Sequence, residues 1–248
     1  DRRQFGRPIA EFGLIQEKFA MAAAKFFAIE SAIYRTGALV DEGFAVFGGS
    51  TDGNRKAAEE YAIECSAIKV MATEAESEIV DEMLQVYGGY GFTEEFPIAR
   101  HYRDARVSRI YEGTNEINRV FLADRLMKKI LSGALELSNA AGDEFGEAAL
   151  VGVRQSVEEG GKLDQVRLAA LSDLLMVAYV AQSSRMRARR IGGAATDLHR
   201  LAESWLRGRM RAAQARFSRM SETGKGWAEP IASVADLVHD GKGPLDFK

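Results

Sequence analysis

The chain has 248 residues, 46% of them hydrophobic, and carries 33 Lys and Arg against 36 Asp and Glu for a formal net charge of -3. That is enough for one large domain or two small ones with a sizeable core. The slight acidity argues against a general nucleic-acid binder. Three scattered histidines (His101, His199 and His239) have no metal-ligand spacing, and a single cysteine, Cys65, excludes an intrachain disulfide.

No run reaches the roughly 18 apolar residues of a membrane span, and no signal peptide is visible. The chain opens on Asp1-Arg2-Arg3 without an initiator Met, as a fragment or a processed chain would.

Residues 1–8, punctuated by Gly6 and Pro8, read as irregular. From Ile9 apolar residues recur at helical spacing (Phe12, Ile15, Phe19, Ala22, Phe26), which predicts a helix to about Val40. The stretch Gly43 to Gly53 reads as a loop. A second helix is predicted from Asn54 to Tyr87 on a stripe of Ala57, Tyr61, Cys65, Ile68, Met71 and Ala75, which places Cys65 in the core. Gly88 suits its C-terminal cap. A third helix runs from Pro97 to Ile110, with proline in the first turn where no intrahelical partner is lost. A fourth opens after Thr114, an N-cap, with Glu116 in its first turn, and continues to about Leu131.

Six glycines interrupt residues 132–164, which read as a connector with one or two short helices. Further helices are predicted over Leu163–Tyr179 and Thr196–Met220. The tail from Gly226 carries a short apolar piece (Ile231, Val234, Leu237) and ends in GPLDFK. No period-two strand pattern persists. The fold class is all-α.

Two turns hold the chemistry. In Gln85–Phe92 (QVYGGYGF), Gly88, Gly89 and Gly91 free the backbone for close approach to a ligand. The spacing is not G-x-G-x-x-G and no strand precedes it, so a Rossmann reading is poor; a plain helix exit or a cover for a nucleotide cofactor both remain open. In Tyr111-Glu112-Gly113-Thr114 a carboxylate sits on a short turn at a helix start. A base that removes a proton beside a carbonyl needs such a placement, with N–H donors near the carbonyl oxygen. A carboxylate merely facing a helix end is the structural alternative.

The segment Arg2-Arg3-Gln4-Phe5-Gly6 combines arginine with an aromatic, as a pyrophosphate and purine contact would, or as a frayed terminus does. The charged face of the third helix (Arg100, His101, Arg103, Asp104, Arg106, Arg109) is either solvated or pinned by Arg103 beside Asp104. Ser183–Met220 holds ten arginines and two acids, Asp197 and Glu203. This is either a solvated face or a basic amphipathic surface for anionic lipid.

Taken in order, RRQFG, QVYGGYGF and YRDARVSRIYEGTNEI resemble the carboxy-terminal helical domain of the acyl-CoA dehydrogenases. The likeness covers Arg2 to Lys129 closely. The later helices and the closing GPLDF resemble, more loosely, the very-long-chain branch. The resemblance implies an up-down four-helix bundle over 1–131, a connector over 132–164 and a smaller helical extension over 165–248.

It further implies α,β-dehydrogenation of a fatty acyl-CoA to the trans-2-enoyl-CoA, with Glu112 as the α-proton base. FAD is the implied cofactor, and Arg2, Gln4, Phe5, Gln85, Gly88, Gly89, Thr114 and Glu116 match cofactor-binding positions. Tyr111 and Gly113 match positions that flank the thioester. Glu116 departs from the family pattern, since many members have Gln there. Implied partners are an electron-transferring flavoprotein and further copies of the chain as a dimer or tetramer, in the bacterial cytoplasm, membrane-associated, or in the mitochondrial matrix. The alternative reading is an interaction or membrane-docking module, and an oxidase of the same fold is a third. The 248 residues alone are expected to fold as helices but to lack activity.

Overall fold

The computed structural model describes residues 2–137 and 142–222, with the side chains of 221 and 222 excepted. The expected apolar piece near Ile231 and the GPLDFK end lie outside these residues.

The chain begins with a small hairpin, not the irregular segment expected. β1 (Arg3–Gln4) pairs antiparallel with β2 (Arg7–Pro8), Arg3 facing Pro8 and Gln4 facing Arg7. Phe5 and Gly6 link them with φ of 52° and 83°. Two left-handed residues in a two-residue link are the turn that matches strand twist. Two-residue strands are too short to show a period in sequence.

A 3₁₀ turn (Ile9–Glu11) leads into α1 (Gly13–Phe47), then α2 (Thr51–Glu60), α3 (Ala62–Tyr87) and the short α4 (Gly89–Phe92). α5 (Pro97–Ser108), α6 (Asn115–Leu131), α7 (Glu144–Glu158), α8 (Gln165–Ile191) and α9 (Ala194–Glu222) complete the described chain. It is predominantly α-helical, as expected.

Four helix boundaries depart from the sequence reading, the simplest being α8, which runs on to Ile191 instead of ending at Tyr179. α1 runs through Gly43 instead of ending near Val40: a Cβ at Gly43 would lie 2.8 Å from the Tyr61 ring, so glycine here serves close helix packing rather than a loop. The helix expected from Asn54 to Tyr87 is broken at Tyr61, whose φ and ψ of -101° and 19° are not helical, while Ser50 caps the new start of α2 by accepting from the Gly53 N–H. The connector holds one 15-residue helix, α7, capped by Asp143 and packed through Phe145, Ala149 and Val153. Gly152 is again a packing glycine, since a Cβ there would meet Leu174 at 2.8 Å.

α3 packs on α1, α5, α6 and α8, and α8 on α1, α3, α6, α7 and α9. One apolar cluster runs across these layers, from Ala28 and Ala32 of α1 through Val70 and Met71 of α3 and Leu122 of α6 to Leu171, Leu174 and Val177 of α8 and Leu206 of α9. α8 is long and apolar enough to cross a membrane, contrary to the sequence reading, and 67% of its most apolar window is buried against the other helices. Burial of this kind removes apolar area from water at about 25 cal/mol per Å².

A buried ionic layer crosses the same helices. Glu74 of α3 and Arg119 of α6 pair at 2.7 Å, and their side chains are each 13% exposed. Arg119 also meets Asp173 of α8 at 2.7 Å, and Asp173 meets Arg216 of α9 at 2.7 Å. Arg209 of α9 pairs with both Glu74 and Glu78. Burial pushes the Glu74 carboxyl up, but Arg119 and Arg209 outweigh it and hold the group below the ordinary carboxylate range.

Cys65 is exposed, not in the core. The buried stripe of α3 is Ser66, Ala67, Val70, Met71 and Ala75, which leaves Cys65 on its outer edge. The arginine-rich segment is largely committed within the chain: Arg185 pairs with Asp143 and Glu203, Arg187 with Glu30, Arg207 with Glu144, Arg209 with Glu74 and Arg216 with Asp173. On the third helix of the sequence reading, α5, no ion pair among the described residues links Arg103 to Asp104, and both are exposed.

Candidate active site

The turn between α5 and α6 is built from both helices and from α3. α5 ends as the Ile110 and Tyr111 amides donate to the Val107 carbonyl at 2.9 and 3.4 Å. Glu112 then takes φ of 56° and Gly113 φ of 81°. A non-glycine residue in this region costs about 1–2 kcal/mol relative to the right-handed form. It persists where its surroundings hold it.

The surroundings are explicit. The Gly113 carbonyl accepts from Lys69 Nζ at 2.9 Å and from Asn118 Nδ2 at 2.8 Å. Asn115, 1% exposed, accepts from Lys69 Nζ at 2.8 Å and donates to Thr73 Oγ1 at 3.0 Å, while its amide reaches back to the Arg109 carbonyl at 3.2 Å. Thr114 caps α6 by accepting from the Ile117 amide at 3.3 Å. The Glu112 and Tyr111 side chains remain exposed.

Glu116 has a local task. Its own backbone N–H, then the Thr114 hydroxyl, hold its carboxyl below the ordinary range. It stays charged and is bound to the start of α6, where an acid is favoured.

The second turn lies at the far end of α3. Eighteen residues of helix separate Lys69 from Tyr87, about 27 Å of axis, so the two turns are not brought together within one chain. Arg2 folds against the glycine turn: its guanidinium donates to the Tyr87 carbonyl and lies 5.8 Å from the Tyr90 ring centre. A Cβ on Gly88 (φ 60°) would come within 2.4 Å of Arg2 Nη1, so the close contact requires glycine. Gly89 opens onto free space.

Arg2, Ile9, Phe19, Tyr87, Tyr90 and Phe96 line a cleft of about 550 Å³. Phe5 stands 92% exposed at the hairpin tip, with Gln4 exposed beside it and Gln85 exposed on the last turn of α3. Arg2 Nε is shielded from solvent with no hydrogen-bond partner among the described residues. An unsatisfied guanidinium N–H, exposed aromatics and a turn without side chains fit the phosphate and ring parts of a nucleotide cofactor.

Lys69, Thr73, Asn115 and Asn118 brace the Glu112 turn, and the sequence reading missed them. The faint signal is that Lys69 and Thr73 are four apart and share a helix face. Nothing in sequence places that face against residue 113.

The described residues form a predominantly α-helical domain that carries a braced carboxylate turn. The family profile described as "Acyl-CoA dehydrogenase, C-terminal domain" matches residues 1–127. The chain belongs to the acyl-CoA dehydrogenase family. It is 46% identical over 144 residues to a probable acyl-CoA dehydrogenase of Bacillus subtilis (strain 168), covering 56% of this chain and 24% of that protein. It is 36% identical over 185 residues to the mitochondrial very long-chain specific acyl-CoA dehydrogenase of Bos taurus, covering 73% and 25%.

The crystal structure of an acyl-CoA dehydrogenase complexed with FAD from Bacillus anthracis is similar with a TM-score of 0.76 and 34% identity, over 88% of this chain and 42% of that one. Acyl-CoA oxidase1 from Yarrowia lipolytica, at 16% identity, shares the fold with a TM-score of 0.65, over 88% and 40%. The chain spans about a quarter of the length of the curated relatives it matches. Very-long-chain and other branches both occur among the relatives, so the family is shown and the branch is not.

Proposed function

We propose that the chain is the carboxy-terminal part of an FAD-dependent acyl-CoA dehydrogenase acting on long-chain fatty acyl-CoA, with Glu112 as the α-proton base. The observation that carries this reading is the Glu112 turn: an exposed carboxylate on a left-handed residue whose neighbouring backbone is fixed by side chains of α3 and α6. A base so placed can reach a proton on a bound thioester without reorganising first.

In this reading Glu112 takes the α-proton, and Tyr111 and Gly113 flank the thioester. Arg2, Gln4, Phe5, Gln85, Gly88 and Gly89 hold the nucleotide part of FAD, and Thr114 and Glu116 lie toward the cofactor at the start of α6. FAD, when bound, supplies a hydride acceptor for the β-position. Because the two turns stand about 27 Å apart along α3, one chain offers the base turn to one cofactor and its glycine turn to another, as an oligomer would require. An electron-transferring flavoprotein is the proposed electron acceptor. The setting is the bacterial cytoplasm, with the mitochondrial matrix as the alternative that the mammalian relatives offer. The 248 residues alone are inactive in this reading.

The test uses the full-length holoenzyme without oxygen. Palmitoyl-CoA is expected to bleach the wild-type flavin, and Glu112→Gln to slow bleaching by about 10²- to 10⁴-fold with flavin retained. Equal bleaching in both would remove Glu112 as the base.

A further inference from the structure

Lys69 reaches the base turn from a different helix. Its ammonium donates to two oxygens that lie on either side of Thr114: the Gly113 carbonyl at 2.9 Å and Asn115 Oδ1 at 2.8 Å. Asn115 is itself fixed by Thr73 and stands within 3.4 Å of Glu74, so the lysine is tied to the ionic layer between α3 and α6. The Gly113 carbonyl belongs to the peptide next to Glu112. Holding that carbonyl inward fixes the plane of the turn and leaves the carboxylate outside.

The charges around Lys69 agree with this geometry. Partial burial lowers its basicity, while the carboxylates of Glu112 on the turn and Glu116 on α6 act in the opposite sense. A cation placed between these groups draws the turn onto α3. A neutral side chain at 69 would leave the Gly113 carbonyl to Asn118 alone among the contacts described.

We propose that Lys69 is the positioning residue of the base, fixing the left-handed Glu112–Gly113 turn through the Gly113 carbonyl and Asn115. The proposal rests on the reading of Glu112 as the base and adds the residue that aims it. It predicts that loss of the ammonium misplaces the carboxylate, lowering the rate of the chemical step while leaving substrate saturation and flavin content in place.

The experiment compares wild type, Lys69→Met, Glu112→Gln and the double variant as full-length holoenzymes, by anaerobic stopped-flow reduction of the flavin with palmitoyl-CoA. Lys69→Met is expected to lower the limiting reduction rate about ten- to a hundredfold at an unchanged half-saturating concentration. In the Glu112→Gln background the same change is expected to do nothing further, because there is no base left to aim. A general structural lesion would instead slow flavin-replete enzyme in both backgrounds alike, and that result would overturn the proposal, as would a Lys69→Met rate equal to wild type. If Glu112→Gln itself reduces at the wild-type rate, the base reading fails first and separately. Should the Met variant lose its flavin, Lys69→Gln is measured in its place against the same outcomes.

Discussion

The two turns that pack against α3 are built in opposite ways. Around Glu112, Lys69, Asn118 and Asn115 take up the backbone polar groups, and the exposed parts are the Glu112 and Tyr111 side chains. Around Gly88 the backbone itself is the surface, flanked by exposed Tyr87, Tyr90, Phe92 and Phe96 and contacted by Arg2. The difference follows from the work proposed for each. A base must be fixed to within tenths of an ångström, so its supports come from several helices of the same chain. A cover for a large flat cofactor needs open backbone and ring faces, and rigidity at one atom matters less.

This contrast can be broken from either side. The largest effect on stability is expected at Arg119, beneath the braced turn. Arg119→Met would remove the cation shared by Glu74 and Asp173 and leave them to Arg209 and Arg216, at a cost of about 1.5–3 kcal/mol, seen as a lower urea midpoint by circular dichroism. An unchanged midpoint would show that the ionic layer does not hold α3, α6 and α8 together.

A smaller effect is expected at the open turn. Gly88→Ala adds a Cβ against Arg2 at a left-handed position, at a cost of about 1–2 kcal/mol. Flavin content after desalting should fall, while the fraction that keeps flavin reduces at the wild-type rate. If the reduction rate falls instead, the two turns are coupled and the contrast is wrong.

The smallest effect at neutral pH comes from Glu74, whose carboxyl is held below its ordinary value of 4.5. A lowered folded value means that its stabilisation is complete above the unfolded value and is lost as pH falls through the folded one. Stability should therefore be flat in this respect from pH 6 to 8 and decline below about 4.5, and Glu74→Gln should flatten that acid limb. An acid limb of equal slope in both proteins would remove Glu74 as a contributor.

Much of this was written locally in the chain. Apolar spacing announced most of the helices, Thr114 announced the start of α6, and the glycines at 88 and 113 marked backbone at positive φ where a side chain would meet close neighbours. Periodicity could not separate a glycine that ends a helix from one that lets two helices touch, so Gly43 and Gly152 were read as loop residues. It also could not fix the rotation of α3 after the break at Tyr61, so Cys65 was assigned to the wrong face.

The arginine run shows the same limit in charges: composition counts ten arginines, and only the packing of α8 and α9 against α1, α3 and α7 supplies the carboxylates that pair with many of them. By itself, then, the sequence determined most of the helices, the Thr114 cap and the two turns, because these depend on residues within one or two helical turns of each other. Tertiary structure decided what braces Glu112. Lys69 and Gly113 are 44 positions apart, and a contact across that separation exists only once α3 and α6 have packed.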